Sequence, residues 1–263
     1  MIYNLLREYK KHLLKSYSRA TVEAYYKRLA VLLKNQPAVD TANRLDAGLV
    51  LDKLSEIKYK NHFSQSKNAL LRFCDFQNIK LSDDTMVRIK ELENATKKKH
   101  RKLKPIKYNQ IDSKIKHIKN NKLKLSYQMM IATGLRVSEV AGITPNDCII
   151  SDNENHYSDS ITFNFIGKGR KKGTAIITAN DSPVLYERLK DLIKNTPANK
   201  KVFYSAVYLQ KKANELGFGC HDLRRAFAKL EYNKCRDKTE VSRKLGHSNI
   251  KTTNIYLKSK IKL

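Results

Sequence analysis

The sequence predicts a mainly α protein with one small antiparallel sheet, an α+β chain of 263 residues in two domains. Three observations predict it. Apolar residues recur at three- and four-residue spacing through roughly the first 80 positions. Only two stretches, ITFNFI (161–166) and TAIITA (174–179), fit strands, the first by its alternation. Between these regions lies ATKKKHRKLKP (95–105), which is basic, lacks apolar periodicity and ends in proline.

The elements follow in chain order. Ile2 to Leu14 is an amphipathic turn set. Ser18 is placed as the N-cap of a helix carrying Val22, Tyr25, Tyr26, Leu29, Leu32 and Leu33 on one face. Asp46 to Ile57 and His62 to Phe76 complete a four-helix set, the last with Ala69, Leu70, Phe73 and Phe76 inward. The boundaries are residues 1–94 for this helical domain, 95–105 for a basic linker and 106–263 for the second domain. In the latter, Ile111, Ile115 and Ile118 mark one helix and Leu123 to Thr133 another. The two strands come next, joined by GKGRKKG (167–173) as a glycine-bounded turn. Helices resume at Ser182–Lys194, Ala206–Leu216, His221–Asn233 and Lys238–Leu245.

Charge narrows the function. Lys and Arg number 53 against 25 Asp and Glu, a formal net charge of +28. That excess costs self-repulsion and points to a polyanionic partner, nucleic acid first. The four cysteines are scattered without a C-x-x-C pair, as expected of reduced thiols in a cytoplasmic protein. The N-terminus does not read as a signal peptide, and no apolar stretch is long enough to cross a membrane. No metal-ligand cluster or cofactor motif is evident, so neither is expected.

Four stretches carry candidate chemistry. In ATGLRVSEV (132–140), Glu139 follows Arg136 by three residues and can hold its guanidinium in a fixed direction. GKGRKKG presents Lys168, Arg170, Lys171 and Lys172 at a tight tip that a phosphate can approach. HDLRRAFAKL (221–230) sets His221 and Arg224 on one exposed helical face, with Leu223, Phe227 and Leu230 toward the core; His221 or Asp222 could equally cap the helix. In LGHSNIKTTNIYLK (245–258), Gly246 ends a helix, His247 lies in a loop, and Thr252 or Thr253 caps a short helix bearing Tyr256. Singly, each has an ordinary structural explanation. Together they supply the kit for phosphoryl transfer to a phenol. Guanidiniums bind the charged phosphate oxygens in bidentate fashion, and a histidine takes the phenol proton. A lysine protonates the departing oxygen.

In this order the four stretches resemble the signature of the tyrosine recombinases, the phage-integrase and Xer family. The resemblance spans most of residues 125–257. The N-terminal bundle resembles the family's core-binding domain through SRATVEAYYKRL, and the second domain its catalytic domain. The resemblance implies that Arg136 and Arg224 clamp the scissile phosphate, with Glu139 supporting Arg136. It gives Lys168 the role of general acid, His221 that of proton-transfer partner, and His247 a hydrogen bond to the phosphate. It makes Tyr256 the nucleophile that forms a 3′-phosphotyrosyl bond, without metal or ATP. Lys97, Lys98, Lys99, Arg101 and Lys102 of the linker, which reads equally as a solvated tether or as a strap of cations along phosphates, join Arg170, Lys171 and Lys172 as candidate DNA-contacting cations. The expected partner is double-stranded DNA, with a homo-tetramer on two sites during strand exchange and no membrane. With no further N-terminal domain expected, a small mobile-element recombinase or Xer-like resolvase is favoured over integrases that bind separate arm sites.

Two features depart from the family pattern. Arg225 stands where relatives often carry histidine, and the LKSKIKL tail is short for a segment that relatives pass to a neighbouring subunit. The rival readings are a type IB topoisomerase and a non-catalytic DNA-binding protein of the same fold.

Overall fold

The computed structural model describes residues 2–34, 45–97, 105–152, 159–258 and 261–262. The chain forms two compact units, Met1–Lys102 and Leu103–Leu263. The division falls within the 95–105 stretch.

The first unit holds five helices among its described residues, one more than the periodicity predicts. They are α1 (Ile2–Leu14), α2 (Arg19–Leu32), α3 (Ala47–Ser55), α4 (Lys60–Gln77) and α5 (Asp83–Ala95). Ser18 does cap α2, accepting from the Thr21 amide at 3.3 Å. The unread helix, α5, buries only Thr85 and Ile89, so its apolar stripe is too thin to register. Its start is nonetheless signalled by Ser82 as N-cap and by Asp83 and Asp84 in the first turn. Two hydrophobic clusters result. Leu6, Tyr9, Leu13, Val22, Leu29, Leu33, Ala69 and Phe73 form one, and Leu32, Val50, Leu54, Phe63, Leu70, Cys74 and Ile89 the other. The buried Tyr9 phenol is satisfied by the Ala69 carbonyl at 3.1 Å.

Lys97 is not a free tether. Its amide donates to Lys58 O at 3.0 Å and its carbonyl accepts from the Lys60 amide at 3.2 Å, which ties the exit of α5 to the α3–α4 connection. Lys98, Lys99, Arg101 and Lys102 lie outside the described residues.

The second unit begins with β1 (Ile106–Lys107), α6 (Tyr108–Lys116), α7 (Asn121–Thr133) and the one-turn α8 (Val137–Val140). A three-stranded antiparallel sheet follows, ordered β2 (Cys148–Ser151), β3 (Ser160–Ile166) and β4 (Lys172–Thr178). Strand β2 is four residues long, too short for alternation to reveal it. Ile161 and Phe163 of β3 and Ile177 of β4 face the core, with Ile161 opposite Ile177. The unit is completed by α9 (Pro183–Lys194), α10 (Ala206–Glu215), α11 (Cys220–Cys235), α12 (Lys238–Lys244), α13 (Ile250–Lys258) and β5 (Ile261–Lys262). Strand β5 pairs in parallel with β1 of the same chain.

The β3–β4 tip is tighter than GKGRKKG suggests. The turn closes with the Gly167 amide donating to Lys171 O at 2.7 Å, and Gly169 takes φ 76°. Gly173 belongs to β4 instead; a Cβ there would stand 2.6 Å from the Phe165 ring. It is glycine for want of room under an aromatic side chain rather than for turning. No helix among the described residues is long and apolar enough to cross a membrane.

Candidate active site

Arg224 is the centre of the arrangement, and its surroundings correct the expectation of an exposed face. It lies in the first turns of α11 and is only 2% exposed. Its Nη1 donates to Gly134 O at 2.5 Å and its Nη2 to Leu245 O. Gly134 is the C-cap of α7 and Leu245 the C-cap of α12, so one guanidinium sits against the negative ends of two helices. Its Nε is buried without a partner among the described residues. Burial and the charge of Arg136 press its pKa down, while Glu139 and Tyr256 hold it up.

Gly134 makes this possible. It takes φ 69°, and a Cβ would stand 2.3 Å from Phe227, so α7 can stop there and offer its carbonyl to Arg224 only without a side chain.

Arg136 is the N-cap of α8. Glu139, three residues on, accepts from the Arg136 amide at 2.7 Å through Oε2 and from Arg136 Nη1 at 2.7 Å through Oε1. The Glu139 side chain is 2% exposed, and Oε2 lies 3.9 Å from Arg224 Nη1. One buried carboxylate thus caps a helix, aims one guanidinium and faces a second. Gly167 closes in from the hairpin, since a Cβ there would be 3.2 Å from Glu139 Oε1. The backbone of Lys168 follows directly in the tip, and its side chain lies outside the described residues. Arg170, Lys171 and Lys172 are exposed on that hairpin.

His221 opens α11 and is exposed on the surface. Partial loss of water around its ring, then Arg224 and Arg136, lowers its pKa below the ordinary value. The capping role belongs to Asp222, whose Oδ2 accepts from the Gly219 amide at 2.9 Å. Its Oδ1 accepts from Arg225 Nη1 at 2.9 Å, so the buried Arg225 stiffens the turn that carries His221 and Arg224.

His247 follows the left-handed Gly246 (φ 59°). Desolvation, then Arg224 and Arg136, pushes its pKa down to about 4. Its ring lies edge-on to Tyr256, centroids 5.1 Å apart. Tyr256 is half-buried and packs against the small cluster formed by Phe227, Ala228, Val241 and Leu245. The start of α13 differs from expectation. Asn249 caps it, its Oδ1 accepting from the Lys251 amide at 2.8 Å, and Thr253 is drawn inward to His247. The TTN run contains three capping-type residues, and sequence alone does not choose among its neighbours.

Arg136, Glu139, Arg224, His247 and Tyr256 therefore share one locus, His221 interacts electrostatically with both arginines, and Gly167 brings the hairpin root to its edge. A cleft of about 840 Å³ opens elsewhere on this unit, lined by Tyr108, Ile131, Ile176, Arg188, Phe227 and Lys244 among others, and holds none of the six candidate catalytic side chains. Among the described residues no three His, Cys, Asp or Glu side chains cluster as metal ligands do. Burial raises the thiols of Cys74 and Cys220 to about 11, which keeps them protonated at neutral pH.

The chain is similar in sequence to tyrosine recombinases and in fold to solved integrase and Xer structures. The tyrosine recombinase XerH of Campylobacter jejuni is 30% identical over 161 residues, covering 52% of this chain and 42% of that protein. XerC of Neisseria gonorrhoeae is 28% identical over 148 residues, covering 50% of this chain and 45% of that protein. The chain thus spans about half the length of the curated relatives it matches. Among solved structures, a lambda integrase (75–356) dimer bound to a COC′ core site superposes with a TM-score of 0.64 at 16% identity, covering 98% of this chain and 95% of that one. XerH bound to its difH substrate gives 0.57 at 20% identity, covering 89% and 74%. Both share the mainly helical fold. The family model described as Phage integrase family matches residues 101–262. With that stretch covering more than half its length, the chain belongs to the phage integrase family, the tyrosine recombinases.

Proposed function

We propose that this chain is a site-specific DNA recombinase that breaks and rejoins strands through a 3′-phosphotyrosyl intermediate. One observation carries the reading: Tyr256 stands edge-on to His247 with ring centroids 5.1 Å apart, in the same locus where one buried carboxylate, Glu139, faces both Arg136 and the buried Arg224. Tyr256 Oη attacks the scissile phosphorus, the bond to the 5′ oxygen breaks, and a phosphotyrosine ester forms. His221, kept neutral by its surroundings, takes the phenol proton. Lys168 gives a proton to the departing 5′ oxygen. Arg136 and Arg224 neutralise the non-bridging oxygens and cost no reorganisation during reaction, because Glu139 and two helix ends already hold them. The ester keeps the bond energy, so a 5′-hydroxyl from another strand reverses the step; the scheme calls on neither metal nor ATP.

The helical unit serves as the core-binding domain, and Lys97, Lys98, Lys99, Arg101, Lys102, Arg170, Lys171 and Lys172 bind backbone phosphates of duplex DNA. Lambda integrase is known as a tetramer on a Holliday junction, in a fold shared here at a TM-score of 0.63. We extend that assembly, four copies on two sites, to this chain, acting in the cytoplasm.

Nicked suicide duplexes test the reaction. Wild type yields a covalent adduct on a denaturing gel, and Tyr256→Phe binds but yields none. An adduct that survives in Tyr256→Phe would sink the assignment. No adduct at all would leave a DNA-binding protein of this fold. Relaxation of supercoiled DNA without junction products from paired sites would favour the topoisomerase reading.

A further inference from the structure

Thr253 stands in α13, six residues after His247. It is fully buried, and its hydroxyl makes one hydrogen bond among the described residues, to His247 Nδ1 at 2.8 Å. The other ring nitrogen, Nε2, is buried with no partner among the described residues. These facts bear on where the protons reside. A buried hydroxyl turns its proton toward an acceptor, and Nδ1 is the one it meets. If Nδ1 were the donor, the threonine proton and the Nε2 lone pair would both be buried unpaired. With the hydroxyl donating, one unpaired group remains, an Nε2–H beside the charges of Arg224 and Arg136.

We propose that the Thr253 hydroxyl donates to His247 Nδ1 and holds the ring proton on Nε2. Thr253 is then the positioning residue that makes His247 a hydrogen-bond donor toward an anionic phosphate oxygen. The phosphate in this statement rests on the recombinase reading; the tautomer does not. Loss of water and two neighbouring guanidiniums keep the ring neutral near pH 7, so it has one proton and its location matters. Only the Nε2–H form adds a third donor to the two guanidiniums, and a phosphate oxygen at that pH only accepts.

The test uses the full chain labelled with ¹⁵N in its histidines. Two-bond ¹H–¹⁵N spectra at pH 7.5 report the tautomer of each ring, and the His247 signals are those lost in His247→Gln. Wild type should give the Nε2–H pattern. Thr253→Val keeps the shape and removes the donor, and should move His247 toward Nδ1–H; Thr253→Ser should restore Nε2–H. Single-turnover adduct formation should fall about tenfold in Thr253→Val, the effect of one lost hydrogen bond, and recover in Thr253→Ser at unchanged duplex affinity. An Nδ1–H pattern in wild type overturns the proposal. So does a Thr253→Val protein that retains both the Nε2–H pattern and the wild-type rate. If Thr253→Val does not fold, the wild-type spectrum decides alone. If wild type forms no adduct, the nucleophile assignment fails while the spectrum still tests the tautomer.

Discussion

Replacing Glu139 by glutamine probes the most concentrated electrostatic feature of the molecule. The carboxylate lies 2.7 Å from one guanidinium and 3.9 Å from another, with 2% of its side chain exposed. At an effective dielectric near 20, these pairs attract by about 6 and about 4 kcal/mol. Most of that offsets the cost of dehydrating the three charges, so the net loss on removing one partner is about 3–5 kcal/mol. Glutamine retains an acceptor for the Arg136 amide, which places Glu139→Gln near the lower end. For a unit of this size, about 3 kcal/mol lowers Tm by roughly 6–12 °C. Duplex DNA brings phosphate oxygens to the same guanidiniums, so the variant should regain much of the loss when bound. The assay is calorimetric Tm for wild type and Glu139→Gln, each with and without a saturating duplex. A Tm change under about 2 °C in the free protein would refute the burial argument. An equal loss with and without DNA would refute the claim that phosphate takes the place of the carboxylate.

Gly134→Ala and Gly246→Ala share a left-handed residue, at φ 69° and 59°, but only Gly134 has Phe227 against it. Urea unfolding should show a loss of about 1–2 kcal/mol for Gly246→Ala and at least about 2 kcal/mol more for Gly134→Ala; equal losses would contradict the packing. His221 and His247 have folded pKa values below their unfolded value near 6.5, so the unfolded chain takes up their protons first as pH falls. Both contributions are full above pH 6.5 and decline as pH drops; for His247 alone the decline runs to about pH 4 and amounts to about 3 kcal/mol. A His247→Gln variant should lose that part of the slope between pH 7 and 5, and an unchanged slope would count against the depressed value. Adduct formation should fall on the acid side, below the ordinary histidine range, as His221 gains its proton. Duplex affinity should drop by about 10³-fold from 50 to 200 mM salt if six phosphates are neutralised. Arg170→Gln, Lys171→Gln and Lys172→Gln should each flatten the log–log salt slope by about 1, and a slope that none of them alters would remove the hairpin from the interface.

The sequence by itself determined the helices with broad apolar stripes, such as α2 and α4, because side-chain period and caps are local properties. It also singled out Arg136, Arg224, His247 and Tyr256 as candidates, because each stands in a short motif whose residue types suit phosphate chemistry. It did not reveal α5, whose stripe is too thin, or β2, which is too short to alternate. Nor could it distinguish a glycine that turns the chain from Gly173, which makes room for Phe165. The tertiary structure alone decided the state of the site. Arg224 reads as exposed on a helical wheel, yet it is buried because partners 90 residues before it and 21 after it supply carbonyls for its charge. Thr253 reads as a cap until the fold sets His247 above it. Charge burial, ring tautomer and pKa depend on what surrounds a group in space, and for these residues that surrounding comes from separate helices brought together by the core.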